Sequence, residues 1–296
     1  MKGFEFITAK DARHAIALLA EHGPKAKLLA GGTDLLVDLK SVPEAPPAVI
    51  DITRVADLKG IRVTDRGLEI GALVTHGEIM ASPEICDRYP ALVDAAHTIG
   101  AVQTRSLGTL GGNLVTAVPS LDSGPALVAL EARVTIAGPA GSKEVPLEEF
   151  FVGPRRTVLE AGELLVNVII PKKNLGKPAG FQKFGLRKGQ ALALVNAGAA
   201  FWMDPAKNIF VEPCIALGAV APTIIRAPKA EAFLKGKAVT DSAMDEAGRI
   251  AADEAKPISD FRASADYRRH LIAILTKRAL QGALTVAERA GKVSSK

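Results

Sequence analysis

The sequence predicts an α+β chain of two domains, the first of them divided again into two subdomains. Three observations carry this. A helix–strand alternation over about 1–57 gives way to hairpin signals from about residue 61. Beyond about 178, strand-like runs are followed by helical runs, the order of an α+β domain rather than of a continuous α/β alternation. Two Gly-Gly pairs, each after an apolar run and each followed by a small polar residue, lie in 30–35 and 109–114. A chain of 296 residues accommodates two domains at roughly 100–200 residues each. The boundaries read as 1–173, with subdomains of about 1–57 and 58–173, and 179–286.

Thr8-Ala9-Lys10-Asp11 is a capping-type start, and Ala12, Ala15, Ile16 and Leu19 follow at helical spacing. Gly23-Pro24 stops that helix. Residues 27–30 read as a short buried strand, 35–39 as a helical turn and 49–52 as a second strand, making a small β-α-β unit. Its first loop has nucleotide-binding character, although GxGxxG is absent. Next, 61–63 and 68–70 flank Asp65-Arg66-Gly67 as a hairpin. Thr75-His76-Gly77-Glu78 is a capping box, and Pro90 opens a helix to about 98. Residues 123–130 read as a helix; 134–137, Val145 and 164–170 read as strands. The breaker-rich, basic 171–178 marks the domain boundary. Strands at 181–185, 195–202 and 211–220 then precede helices near 228–234, 242–254 and 265–280. The polar tail 291–296 reads as frayed.

Apolar residues at 48% supply material for real cores, while 4% aromatics argue against stacking platforms for single strands. The net charge of +5 comes from scattered Lys and Arg, a solvated surface rather than a nucleic-acid face. Cys86 and Cys214 are far apart and lack CxxC spacing, so they hold neither an iron–sulfur cluster nor zinc on their own. They read as a reduced pair before a disulfide. His14, His22, His76, His97 and His270 show no ligand spacing, so no metal is expected. Without a signal peptide core or an apolar run of about 18 residues, a cytoplasmic protein with no membrane span is expected.

The glycine pairs carry the chemistry. Glycine lets a chain turn sharply and lets a ligand approach the backbone. Successive exposed N–H groups form an anion-binding concavity. Two such loops point to a ligand with two phosphates, hence to a dinucleotide. The candidates are Leu29, Ala30, Gly31, Gly32, Thr33, Asp34 and Leu35 in the first loop, and Thr109, Gly111, Gly112 and Asn113 in the second.

The second loop sits in Thr98-Ile99-Gly100-Ala101-Val102-Gln103-Thr104-Arg105-Ser106-Leu107-Gly108-Thr109-Leu110-Gly111-Gly112-Asn113-Leu114, with Asp122 nine residues beyond Asn113. Later come Leu217-Gly218-Ala219-Val220-Ala221-Pro222 and Asp260-Phe261-Arg262-Ala263-Ser264-Ala265-Asp266-Tyr267-Arg268. This ordered set resembles the FAD-binding medium subunit of the molybdenum hydroxylases, the family of xanthine dehydrogenase, aldehyde oxidase and aerobic carbon monoxide dehydrogenase. The resemblance covers nearly the whole chain. It implies a two-subdomain FAD-binding fold of vanillyl-alcohol oxidase/PCMH type, followed by a small α+β C-terminal domain with a three-stranded sheet and helices.

The resemblance further implies that the N–H groups of residues 30–34 and 111–113 contact the FAD diphosphate, with side-chain bonds from Thr33, Thr109 and Asn113. It sets Ile99 and Gly100 against the flavin or its ribityl chain, Asp122 on a ribose hydroxyl, and Leu165 and Lys183 near the cofactor from later strands. From the residues alone, Asp122 reads equally as a helix cap, Lys183 as a solvated strand lysine and Leu165 as core. Lys188 follows Arg187 where some relatives carry an acid, and two isolated cysteines exclude the four-iron cluster of benzoyl-CoA-type relatives. The implied partners are a molybdopterin-binding large subunit and a two-iron-cluster small subunit. The implied role is electron transfer to NAD or a quinone, with no catalytic side chain on this chain. Two other readings stand beside it: a self-sufficient FAD reductase or oxidase, and a non-catalytic assembly module.

Overall fold

The computed structural model describes residues 3–204 and 206–294, of which 291–294 are described as backbone only. The chain opens with β1 (Glu5–Thr8), α1 (Ala12–His22), β2 (Lys27–Leu29), α2 (Leu35–Ser41) and β3 (Ala48–Asp51). These strands form a parallel sheet in the order β1-β3-β2. β3 is central and reads Ala-Val-Ile-Asp, the apolar run that a parallel strand covered on both faces requires. Asp11 caps α1 by accepting the His14 N–H at 2.7 Å. Gly23, at φ +75°, ends the helix in a backbone conformation that suits glycine. β1 is an addition to the sequence expectation. Ala15, Leu18, Leu19, Ile50, Ile52, Val55 and Leu58 form a small core of their own, joined by Leu73 and Leu164.

A five-stranded antiparallel sheet follows, in the order β4-β5-β10-β6-β7: β4 (Ile61–Thr64), β5 (Gly67–Gly71), β6 (Arg133–Gly138), β7 (Gly141–Pro146) and β10 (Leu164–Pro171). Between β5 and β6 run α3 (His76–Ala81), α4 (Pro83–Arg88), α5 (Pro90–His97), α6 (Val102–Leu107), α7 (Leu110–Thr116) and α8 (Ser123–Ala129). The short α9 (Leu147–Phe150) leads to a two-stranded ribbon, β8 (Phe151–Gly153) and β9 (Arg156–Thr157). Leu68, Ile70, Val134, Ile136 and Val168 on the sheet share one core with Leu92, Leu110, Leu114 and Leu127 from the helices. Thr75 and Glu78 close the expected capping box on α3.

The last part is a four-stranded antiparallel sheet, β11 (Ala179–Gly185), β12 (Ala193–Asp204), β13 (Ile209–Gly218) and β14 (Ile225–Arg226). Helices α10 (Pro228–Leu234), α11 (Asp241–Glu254) and α12 (Ala265–Ser294) complete it. The two-residue β14 is too short to carry a periodic signal, so it adds to the three strands expected. The pleat splits the sheet between two cores: Ala197, Ala199 and Phe201 face the helices, whereas Ala200, Ala216 and Phe181 face the preceding core. Glycines allow both contacts. A Cβ on Gly180 would sit 2.1 Å from the Ala279 carbonyl of α12, and one on Gly198 would sit 2.3 Å from the Pro125 carbonyl of α8. Where the polar tail is expected to fray from 291, the backbone of α12 is described as helix through Ser294, and residues 295–296 lie outside the described ones.

Candidate functional site

A cleft of about 520 Å³ lies between the small parallel unit and the five-stranded unit, within the size range of ligand pockets. One wall is the turn after β2, with Ala30, Gly31, Gly32, Thr33, Asp34 and Leu35. The facing wall is the start of α7, with Thr109, Gly111, Gly112 and Asn113. Ile99 and Leu165 also line it. His76, Ala72, Leu73, Thr104, Gly108 and the segment 159–164, none of them among the expected site residues, line it too.

The turn after β2 is built as a cradle. Gly32 has φ +71°, a left-handed conformation that L side chains rarely adopt. Gly31 lies flush on the chain entering α7: a Cβ there would sit 1.9 Å from the Leu107 carbonyl oxygen. Among the described residues, the N–H groups of residues 30–34 donate to no protein acceptor. Asp34 sits at the N-cap of α2 without a side-chain cap bond. A row of open N–H groups at a helix start carries partial positive charge and suits an anion. The basic side chain on the cleft is Lys27, among the acids Asp34, Glu160 and Glu163, so the backbone supplies the anion affinity.

The second glycine pair differs from the expectation. It is the first turn of α7, not a loop. Thr109 caps it, accepting the Gly112 N–H on Oγ1 at 3.1 Å and the Asn113 N–H on its carbonyl at 3.0 Å. The Gly111 N–H donates to the Ala72 carbonyl at 2.8 Å. The three N–H groups expected to meet phosphate are therefore engaged within the protein. Gly111 is glycine because the helix rests on Ala72, whose Cβ lies 2.7 Å from where a Cβ of residue 111 would be. Gly112 is open apart from its own cap, at 2.9 Å from Thr109 Oγ1. Asn113 Oδ1 accepts from Ser123 Oγ at 2.7 Å.

Four expected site residues do not line this cleft: Leu29, Gly100, Asp122 and Lys183. Leu29 ends β2, its carbonyl accepting the Ile52 N–H. Gly100, at φ +52°, turns the chain between α5 and α6, its carbonyl accepting the Gln190 N–H. Asp122 and Lys183 are paired with each other. Lys183 Nζ lies 2.5 Å from Asp122 Oδ2, with both side chains 7% exposed. Lys183 also donates to the Thr98 carbonyl at 3.1 Å, and Asn196 Nδ2 donates to Asp122 Oδ1 at 2.8 Å. Asp122 occupies the N-cap position of α8 but makes no cap bond. Lys183 is a buried ion-pair partner, not a solvated strand lysine. Burial pushes the Asp122 carboxyl above the usual carboxylate range, against the pull of Lys183 and Asn196. The cluster joins β11 and β12 to the helices behind the cleft.

His76, the first residue of α3, is 1% exposed on the cleft wall. Burial, then the nearby Arg105 cation, pushes its imidazole down to about 4, so the ring is neutral at neutral pH. Cys86 and Cys214 are both free thiols. Among the described residues, no helix is long and apolar enough to cross a membrane.

Comparison with known proteins agrees with this architecture. Residues 2–173 match the family described as the FAD binding domain in molybdopterin dehydrogenase. Residues 180–283 match the CO dehydrogenase flavoprotein C-terminal domain. The carbon monoxide dehydrogenase medium chain of Hydrogenophaga pseudoflava is 35% identical over 280 residues, 95% of this chain and 96% of that one. The xanthine dehydrogenase FAD-binding subunit of Escherichia coli O157:H7 is 32% identical over 277 residues, covering 92% and 93%. Among solved structures, carbon monoxide dehydrogenase from Hydrogenophaga pseudoflava superposes with a TM-score of 0.89 at 34% identity, covering 96% of this chain and 98% of that one. Quinoline 2-oxidoreductase from Pseudomonas putida 86 gives 0.87 at 31% identity, covering 97% and 100%.

Proposed function

This chain belongs to the FAD-binding subunits of the molybdopterin dehydrogenases, and from that premise we propose that its cleft holds FAD as the electron-transfer centre of a multi-subunit, cytoplasmic molybdenum hydroxylase. The observation that carries the proposal is the row of N–H groups at 30–34, without an acceptor among the described residues and facing the start of α7 across the cleft. Those groups fit a diphosphate bridge, which needs several donors but no buried cation. Thr33, Thr109 and Asn113 stand beside them with polar side chains, and Ile99 and Leu165 offer apolar surface for a ring system. Bound FAD supplies redox chemistry that joins one-electron donors to two-electron acceptors. The chain itself binds, orients and shields the cofactor. Its Lys183–Asp122 pair braces the helices behind the site. The partners in this scheme are a molybdopterin-binding large subunit, where substrate is hydroxylated, and a small subunit whose two-iron clusters deliver electrons. The external acceptor is NAD or a quinone.

The test is purification of the chain alone and with its partners, followed by absorbance spectroscopy and FAD titration. The expected result is a flavin spectrum at one FAD per chain, with turnover only in the complex. A colourless chain that refuses added FAD overturns the cofactor assignment. Turnover of a small substrate by the isolated flavoprotein overturns the subunit role.

A further inference from the structure

A buried side chain that lines a cavity with a polar atom left open and unpartnered points to a ligand group that completes it. His76 is such a residue. Its backbone is tightly fixed: the N–H donates to the Gly108 carbonyl at 3.0 Å, and Thr75 before it pairs with Thr109 across an isolated bridge. Its ring is not fixed in that way. Nδ1 is fully buried with no hydrogen-bond partner, and no protein partner is found for Nε2 among the described residues. Two neighbouring charged groups are already committed. Glu78 bonds the Thr75 N–H and hydroxyl at 2.7 and 2.8 Å. Arg105 donates to the carbonyls of His97 and Ile99, both at 3.0 Å. Across the bare backbone of Gly108, the His76 ring and the Thr33 hydroxyl each lie 3.6 Å from the point where a Cβ would stand. The ring thus borders the cradle of 30–34 on its inner side.

We propose that His76 is a direct cofactor-binding residue, its imidazole hydrogen-bonding an oxygen of the bound dinucleotide at the Thr33–Gly108 edge of the cleft. The proposal rests on the FAD reading above. Nδ1 is sealed inside the protein, so Nε2 is the nitrogen that meets the cleft; it donates or accepts according to the tautomer, and so can serve a hydroxyl of the ribityl chain or an oxygen of the ADP half. The neutral ring bonds either without placing a second full charge in a buried site.

The test compares the apo chain with His76→Leu and His76→Gln, measuring FAD affinity by flavin fluorescence and apo stability by urea unfolding at pH 7.5. Leucine keeps the apolar bulk and removes both nitrogens, whereas glutamine restores a donor and an acceptor. The expected result is FAD affinity roughly three- to tenfold weaker in His76→Leu and largely recovered in His76→Gln. His76→Leu apo protein is expected to be as stable as wild type, because an unpartnered buried polar group has been removed. Unchanged FAD affinity overturns the proposal. So does a parallel loss of apo stability and affinity, which marks a merely structural ring. ADP as a competitor separates the two oxygen sources: unchanged ADP affinity in His76→Leu assigns the ribityl chain, and a fall parallel to that of FAD assigns the ADP half. If wild type itself binds no FAD, the cofactor assignment fails first and His76 with it.

Discussion

Replacing Lys183 by Met tests how the halves of the molecule are joined. The substitution removes the 2.5 Å contact to Asp122 and the 3.1 Å bond to the Thr98 carbonyl. Asp122 is left with Asn196 and the Thr98 hydroxyl as donors. Breaking a buried pair by deleting one partner costs about 3–5 kcal/mol, because the other charge stays uncompensated. The carboxyl can limit this cost by taking up a proton. Burial already raises its pKa, and loss of Lys183 raises it further. A group whose pKa is higher folded than unfolded favours the fold at low pH and loses that contribution as pH rises. Lys183→Met is therefore expected to be about 1–3 kcal/mol less damaging at pH 5 than at pH 8. Adding Asp122→Asn removes the stranded charge, so the double variant is expected to recover about 2 kcal/mol at pH 8. Urea unfolding of the four apo proteins at both pH values measures every arm of the cycle. A loss below about 1 kcal/mol at pH 8, or one independent of pH and unrelieved by Asp122→Asn, refutes the reasoning.

Two further predictions concern the cleft. Gly31→Ala places a Cβ 1.9 Å from the Leu107 oxygen, a backbone atom that cannot rotate away, so the cradle must lift off α6. The expected outcome is about 1–3 kcal/mol of destabilisation in urea and roughly tenfold weaker FAD binding in a fluorescence titration. In the acid range, the folded chain resists the proton that an unfolded histidine takes up below about 6.5. With His76 held down at about 4, wild type is expected to lose up to about 3 kcal/mol between pH 6.5 and 4. His76→Leu lacks that component, and a pH series of chemical denaturation on both proteins reads the difference.

What the sequence disclosed was local. Asp11 before α1, Thr75 with Glu78 and the apolar runs of the large sheets are short-range signals, and each produced the element it predicts. β1 escaped because Glu-Phe-Ile-Thr does not alternate and Phe6 is 56% exposed. The pair Gly111-Gly112 read as a turn because glycine in sequence does not distinguish a left-handed bend from close packing. Here the reason is Ala72, a partner from the end of β5. Asp122 and Lys183 are 61 positions apart, and nothing local marks either as half of a buried pair. His76 lies inside the Thr75–Glu78 capping box, a motif that accounts for its neighbours and says nothing of its ring. No local signal marks its ring: the proximity of residue 76 to the second glycine pair arises only in the fold, through the His76 N–H bond to the Gly108 carbonyl and the Thr75–Thr109 bridge.

The two walls of the cleft hang on different cores, one built around β3 and α1, the other around the large antiparallel sheet. An occupant of that seam acts as a rivet. Its free energy of binding adds to the cohesion of the small unit, so that unit's melting point is expected to climb with cofactor concentration while the distal helical layer stays put. A larger supply of the cofactor is thereby expected to lengthen the survival of the amino-terminal segment in a timed protease digest.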